Sequence, residues 1–194
     1  MKPEIIERDV AYSGYLTVMR LKVRLSDGAV VSRDVDKHGN SVAVLPYSIE
    51  RRCALVAHLF RAPIFEATGE EISEEACAGM IMNESAVETA HRESLEELGV
   101  IIHDLDFVAK VWTSPGTSTE RQSLFLANYR ASDRVGPGGG AAGEHEGIVV
   151  SEQSLESLGQ EADNGRIADA KLLVLVLTLR LRRPALFARS VTTD

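Results

Sequence analysis

Arg92, Glu93, Glu96 and Glu97 stand together in the run Arg92-Glu93-Ser94-Leu95-Glu96-Glu97-Leu98-Gly99-Val100. Carboxylate oxygens are the ligands that hard cations such as magnesium take. Glu93 and Glu97 are one helical turn apart, with Glu96 beside them. Like charges at this spacing repel by about 0.2–0.5 kcal/mol per pair. The cluster is therefore either a plain solvated face or a site for divalent ions. Arg92, four residues before Glu96, is placed to orient it through a fork-like ion pair.

A helix over Ala86–Leu98 must carry these side chains, because that stretch holds neither Gly nor Pro. Ser85 with Glu88 has the spacing of a capping box. Gly99 suits a left-handed helix stop. At 100° per residue, Val87, His91, Leu95 and Leu98 fall on one face, which is expected to pack inward. Glu93, Glu96 and Glu97 fall on the opposite side.

The chain has 194 residues, enough for one domain with a full core. Apolar residues make up 44%, which places it among globular proteins. A formal charge of −8 argues against a nucleic-acid backbone as partner. It leaves open an anionic small ligand, since bound divalent ions invert the local field. Cys53 and Cys77 form no CxxC pair and are expected to be reduced core residues of a cytoplasmic protein. The opening MKPEIIERDVAYSG lacks the pattern of a signal peptide. The apolar run at 172–179 is too short to span a bilayer, so no membrane partner is expected.

Around the helix, extended patterns dominate. Residues 1–10 read as a short strand or arm, and 15–25 with 30–35 as a hairpin. Strands are expected at 41–47 and 52–59, with the chain leaving the sheet at 60–63. Further strands are expected at 105–112, 123–129 and 148–150, and a short helix at 155–161. A Ser-Pro-Gly turn at 114–116 and a glycine-rich loop at 136–143 lie between strands. The run at 172–177 has no helical period and could be a buried strand.

The acidic box resembles that of the Nudix hydrolases. Arg92, Glu93, Glu96, Glu97 and Gly99 match its second half, and Glu84 keeps its distance from Arg92. Two departures stand out: Gly79 is one residue closer to Glu84 than the pattern has it, and Ser94 occupies a usually apolar place. Within the superfamily the chain looks most like the nucleoside-diphosphate-sugar branch. Cys77-Ala78-Gly79, Ser114-Pro115-Gly116 before Thr119-Glu120, and the run Gly138-Gly139-Gly140 carry that likeness.

The resemblance implies an α+β fold, a Nudix α/β/α sandwich with a mixed central sheet and an additional N-terminal antiparallel sheet. It implies a β extension at 1–38 used in a homodimer, a Nudix domain at 39–185 ending in a helix from near Asp169, and a tail at 186–194. The expected reaction is magnesium-dependent hydrolysis of a nucleoside diphosphate sugar, with manganese as a substitute ion. GDP-mannose, giving GMP and mannose 1-phosphate, is the first expectation, and ADP-ribose or an ADP-sugar the alternative. A catalytically silent ligand-binding module is the non-enzymatic alternative.

By the same resemblance, Glu93, Glu97, Glu96, Glu74 and the Ala78 carbonyl hold metal, with Glu75 a second choice to Glu74. Arg61 and Arg33 hold phosphate, while Ser114 and Glu120 face substrate or stabilise their loop. Glu146, or else Glu144, is the general base on a mobile flap beside His145, and Arg92, Gly79 and Gly99 support the site. Tyr12, Tyr15, Tyr47 and Trp112 are stacking candidates for a base.

Overall fold

The computed structural model of the protein describes residues 1–141, 143 and 147–188. The chain divides into two compact units, Met1–Ser41 with Lys110–Gln122, and Val42–Ala109 with the described residues from Ser123 onward.

In the smaller unit, Glu4–Ser13 (β1), Thr17–Arg24 (β2) and Val30–Asp36 (β3) form a three-stranded antiparallel sheet with β2 at its centre. Gly28, with φ of 91°, makes the turn of the expected hairpin. Every residue of β1 is exposed. Residues directly opposite each other carry complementary charge. Arg20 pairs with Asp34 at 2.8 Å and Arg24 with Glu4 at 2.8 Å. The segment at 113–120 closes on the end of β3, where the Asp36 amide donates to the Thr117 carbonyl at 2.7 Å.

The second sheet has seven strands: Ser41–Ser48 (β4), Cys53–Leu59 (β5), Ser73–Glu75 (β6), Cys77–Met80 (β7), Leu105–Trp112 (β8), Arg121–Asn128 (β9) and Val149–Ser154 (β10). Its order is β10-β5-β4-β9-β8, with β6 beside β5 and β7 beside β4. β4 is buried throughout, as an apolar run bounded by turns should be. Val42, Val44, Leu55, Ala57, Leu98 and Phe125 belong to the core of the larger unit. Cys53 and Cys77 are both free and buried in that core, as expected.

Four α-helices lie among the described residues: Ala62–Thr68 (α1), Ala86–Leu98 (α2), Leu155–Asp163 (α3) and Ala170–Arg182 (α4). None is long and apolar enough to cross a membrane. α1 stands where the sequence reading had only a departure from the sheet. Pro63 sits in its first turn, Gly69 ends it at φ of 77°, and it buries no residue. The ambiguous run near the C-terminus is α4. Asp169 caps it, accepting from the Lys171 and Leu172 amides. Leu172, Leu175, Val176 and Leu179 are its buried residues, a helical spacing that the surrounding apolar residues concealed. Beyond α4, a 3-10 turn at Pro184–Phe187 is held by Arg52, whose guanidinium donates to the carbonyls of Ala185, Leu186 and Ala188.

Candidate active site

α2 forms as its termini dictate. The Ser85 hydroxyl accepts from the Glu88 amide at 3.2 Å, and the Glu88 carboxylate accepts from the Ser85 amide at 2.8 Å. Gly99 closes the helix at φ of 64°. The inward face differs from the apolar stripe that helical spacing suggests. Thr89, Ala90, Ser94, Glu97 and Leu98 are buried, whereas Val87 and Leu95 remain 47% and 45% exposed. The reason is specific bonding. Glu97, only 5% exposed, accepts the Ala78 amide of β7 at 3.1 Å, so its burial is compensated by a backbone donor. Ser94 stands at 0% exposure, a small side chain that fits where a larger apolar one is usual.

Glu93 approaches β7 one residue further on. A Cβ on Gly79 would lie 1.8 Å from Glu93 Oε1, so only glycine admits the carboxylate there. Cys77 lies in the same place. Burial, followed by the nearby Glu97 and Glu93, holds its thiol well above the ordinary range.

Arg92 is the hub of the acids. Its Nε and Nη2 donate to Glu84 Oε1 at 3.0 and 2.8 Å. Its Nη1 lies 2.8 Å from Glu96 Oε2 and 2.9 Å from Glu93 Oε1. One guanidinium thus serves three carboxylates, with Glu97 a further acid on α2. The hydrogen bond to Arg92 lowers the Glu84 pKa, and Glu84 is the main cause that raises that of Arg92. Sequence spacing pairs Arg92 with Glu96 alone, whereas the guanidinium also gathers Glu84 and Glu93.

The loop after β9 is anchored here over part of its length. The Gly139 amide donates to the Glu97 carbonyl at 2.9 Å and the Gly140 amide to the Glu96 carbonyl at 3.1 Å. The Val135 and Gly136 amides both donate to the Gly99 carbonyl. A Cβ on Gly138 would meet the Glu97 carbonyl oxygen at 2.2 Å. The part of the expected flap at 136–140 is therefore docked on the end of α2. Glu144, His145 and Glu146, the expected acidic part of the flap, lie outside the described residues.

The two glutamates of β6 separate by the alternation of a strand. Glu74 accepts from the Gln153 amide and lies 3.9 Å from His58 Nε2, which in turn bonds Ser151 at 2.8 Å. Glu75 takes Arg61 in a two-pronged pair at 2.9 and 3.0 Å and Lys171 at 2.7 Å. Burial raises the Glu75 pKa, but Arg61 and Lys171 outweigh it and hold the carboxyl at about 2. Lys171 and Asp169 are members of this cluster that local sequence could not reveal. The pattern points to Asp169 only as the start of α4.

The smaller unit carries the other candidates. Glu120 accepts from the Thr113 hydroxyl at 2.9 Å and from the Ser41 hydroxyl, so it stabilises its own loop. The Ser114 and Thr117 hydroxyls lie 2.8 Å apart. Arg33 is exposed on β3 and donates to the Ser32 carbonyl at 2.8 Å. Arg121 lies over the Trp112 ring at 5.2 Å. Tyr12 and Tyr15 are exposed, while Tyr47, in the larger unit, is buried and unsuited to stacking on a ligand.

The acids of α2 suit a hard divalent ion. Their donors are all carboxylate oxygens, they outnumber the nearby cation, and glycine clears the space before Glu93. Among the described residues, no three His, Cys, Asp or Glu side chains already form a metal cluster.

Comparison with known proteins gives a consistent assignment. The NUDIX domain family matches residues 37–174. GDP-mannose pyrophosphatase of Cronobacter sakazakii is 31% identical, the match covering 92% of this chain and 95% of the relative. ADP-ribose pyrophosphatase of Escherichia coli K12 is 30% identical over 94% of this chain and 90% of the relative. A crystal structure of an ADP compounds hydrolase shares the fold, with a TM-score of 0.75 at 20% identity, covering 95% of this chain and 96% of that one.

Proposed function

The chain belongs to the NUDIX family and is a Nudix hydrolase, and we propose that it hydrolyses the diphosphate of a nucleoside diphosphate sugar. GDP-mannose is the first substrate in this reading, with GMP and mannose 1-phosphate as products. The observation that carries the reading is the arrangement on α2: one guanidinium serving Glu84, Glu93 and Glu96, with Glu97 seated on the Ala78 amide. Nudix hydrolases generally use divalent metal ions, and we assign magnesium to this chain. Its whole-length similarity to a GDP-mannose pyrophosphatase supports the substrate, and the similar identity to an ADP-ribose pyrophosphatase supports ADP-ribose as the second reading.

Glu93, Glu97 and Glu96 are the side chains assigned to the metal. When bound, the ion neutralises charge on the diphosphate and lowers the pKa of water. Arg92 keeps the carboxylates in place by charge-assisted bonds. Arg61, at the start of α1, orients the diphosphate without taking part in proton transfer. A carboxylate from the segment at 144–146, Glu146 before Glu144, accepts the proton of the attacking water. The water oxygen bonds to one phosphorus, the bridging P–O bond breaks, and two monophosphates leave.

We also assign a cytoplasmic location and a homodimer formed through the N-terminal β extension. A strand exposed along its whole length, with Val10 and Tyr12 uncovered on it and Tyr15 in the turn that follows, supports the dimer. Sedimentation showing only a 21.1 kDa species at micromolar concentration would overturn it.

The reaction is tested by incubation with magnesium and equal concentrations of GDP-mannose, ADP-ribose, ADP-glucose and NADH, followed by chromatography. Preferential conversion of GDP-mannose to two monophosphates is expected. Preferential conversion of ADP-ribose moves the chain to the second reading, and no conversion with either magnesium or manganese defeats both.

A further inference from the structure

Arg61 does not stand alone at the start of α1. Its Nε and Nη2 edge is taken by Glu75 at 2.9 and 3.0 Å, which fixes the plane of the guanidinium. By covalent geometry the edge carrying Nη1 then turns away from Glu75. Glu75 Oε2 is shared, for Lys171 Nζ reaches it at 2.7 Å. Lys171 also bonds Asp169 Oδ1 at 2.9 Å, and Asp169 Oδ2 accepts the amides of Ala76 at 3.0 Å and Leu172 at 3.2 Å. The chain of contacts Arg61–Glu75–Lys171–Asp169 therefore joins the first residue before α1 to the first turn of α4. α1 fully buries no side chain and has no side-chain cap, so its start has little beside this chain of contacts and the Phe60–Phe65 ring contact to hold it.

We propose that Glu75 and Lys171 are positioning residues that set Arg61 to receive the diphosphate. This rests on the reading that Arg61 meets the diphosphate. A carboxylate bonded to Arg61 alone would draw the guanidinium toward itself and cancel its charge. Lys171 competes for the same carboxylate oxygen, so Glu75 holds the plane of Arg61 while Lys171 offsets the added negative charge. Arg61, 42% exposed at its side chain, thus keeps a fixed direction at the protein surface. Neither Glu75 nor Lys171 needs to touch ligand for this.

The test is a double-mutant cycle read by calorimetric binding of methylenediphosphonate with magnesium, a diphosphate that is not cleaved. Lys171→Met is expected to weaken binding about fivefold, Lys171→Arg to restore it, and Lys171→Met in an Arg61→Ala background to add no further loss. Glu75→Gln, a smaller change, is run in the same cycle, and melting curves confirm that each variant is folded at the assay temperature. Equal loss with and without Arg61, no loss in either background, or no binding by the unmodified protein overturns the proposal. Coupling in a protein that hydrolyses no sugar nucleotide leaves the proposal standing and defeats the substrate reading. Hydrolysis without coupling does the reverse.

Discussion

Two charged clusters of the larger unit are built from the same residue types and come out differently. Around Glu75, two carboxylates meet two cations: Glu75 and Asp169 with Arg61 and Lys171. Around Arg92, one cation meets three carboxylates, Glu84 just before α2 and Glu93 and Glu96 on it, and Glu97 is a further acid of the same helix. The first cluster is balanced by its own members, as a buried network must be to avoid uncompensated charge. Among the described residues the second has fewer cations than carboxylates, an imbalance that the proposed metal ion would relieve. Charge balance, more than the presence of acids, separates the joint from the proposed reactive centre.

The sharpest way to break this distinction is to remove acid from each cluster and compare activity with stability. Glu97→Gln keeps an oxygen for the Ala78 amide but removes a charge. Turnover of the preferred sugar nucleotide should fall by about a hundredfold or more, the equivalent of about 3 kcal/mol in the barrier, with little change in melting temperature. Activity within about twofold of the unmodified enzyme would end the assignment of Glu97 to the metal.

The balanced cluster should respond chiefly in stability, with only the modest loss of diphosphate binding that follows from its hold on Arg61. Lys171→Met leaves Glu75 and Asp169 without their shared cation and should cost about 3 kcal/mol in urea unfolding. A loss under about 1 kcal/mol would show the network to be no firmer than a surface pair.

Acid gives a finer cut. The Glu75 carboxyl is depressed to about 2 in the folded chain, so its contribution is complete above its unfolded pKa near 4.5 and is lost as pH falls toward 2. The difference in stability between the unmodified protein and Glu75→Gln should therefore shrink by about 3 kcal/mol across that window. A difference that stays constant with pH would remove the ion pair as its source. The smallest effect is expected in the exposed sheet, where Arg20→Ala breaks the pair with Asp34. Only a marginal loss of stability is expected there, because both side chains are solvated. A larger one in thermal unfolding would show that this sheet depends on its cross-strand charges.

These clusters also mark what the sequence could disclose. α2 is legible because Ser85, Glu88 and Gly99 act locally, within one turn of its ends. Its orientation is not legible from apolar spacing, because Glu97 and Ser94 face inward while Val87 and Leu95 do not. A hydrophobic stripe predicts the buried face only when burial is the main source of stability. Here a backbone amide and a glycine receive the acids instead.

The seven-stranded sheet was largely readable from its apolar runs, and β8 lies at Leu105–Trp112, as expected. α1 was not readable, since seven residues with a proline and no buried face leave no period to detect. Glu75 could be told from Glu74 only in three dimensions, since its partner Lys171 lies 96 residues away along the chain.

The docking of the glycine-rich loop has an electrostatic consequence. The last turn of a helix carries a partial negative charge, about half an elementary unit, on its unpaired carbonyls. In α2 that end would otherwise add to the carboxylates of Glu93, Glu96 and Glu97. The amides of Gly139 and Gly140 cover the carbonyls of Glu97 and Glu96, and the close approach at Gly138 leaves no room for a side chain between them. The run of glycines works as insulation, keeping the field at the acidic centre the property of its carboxylates rather than of the helix that bears them.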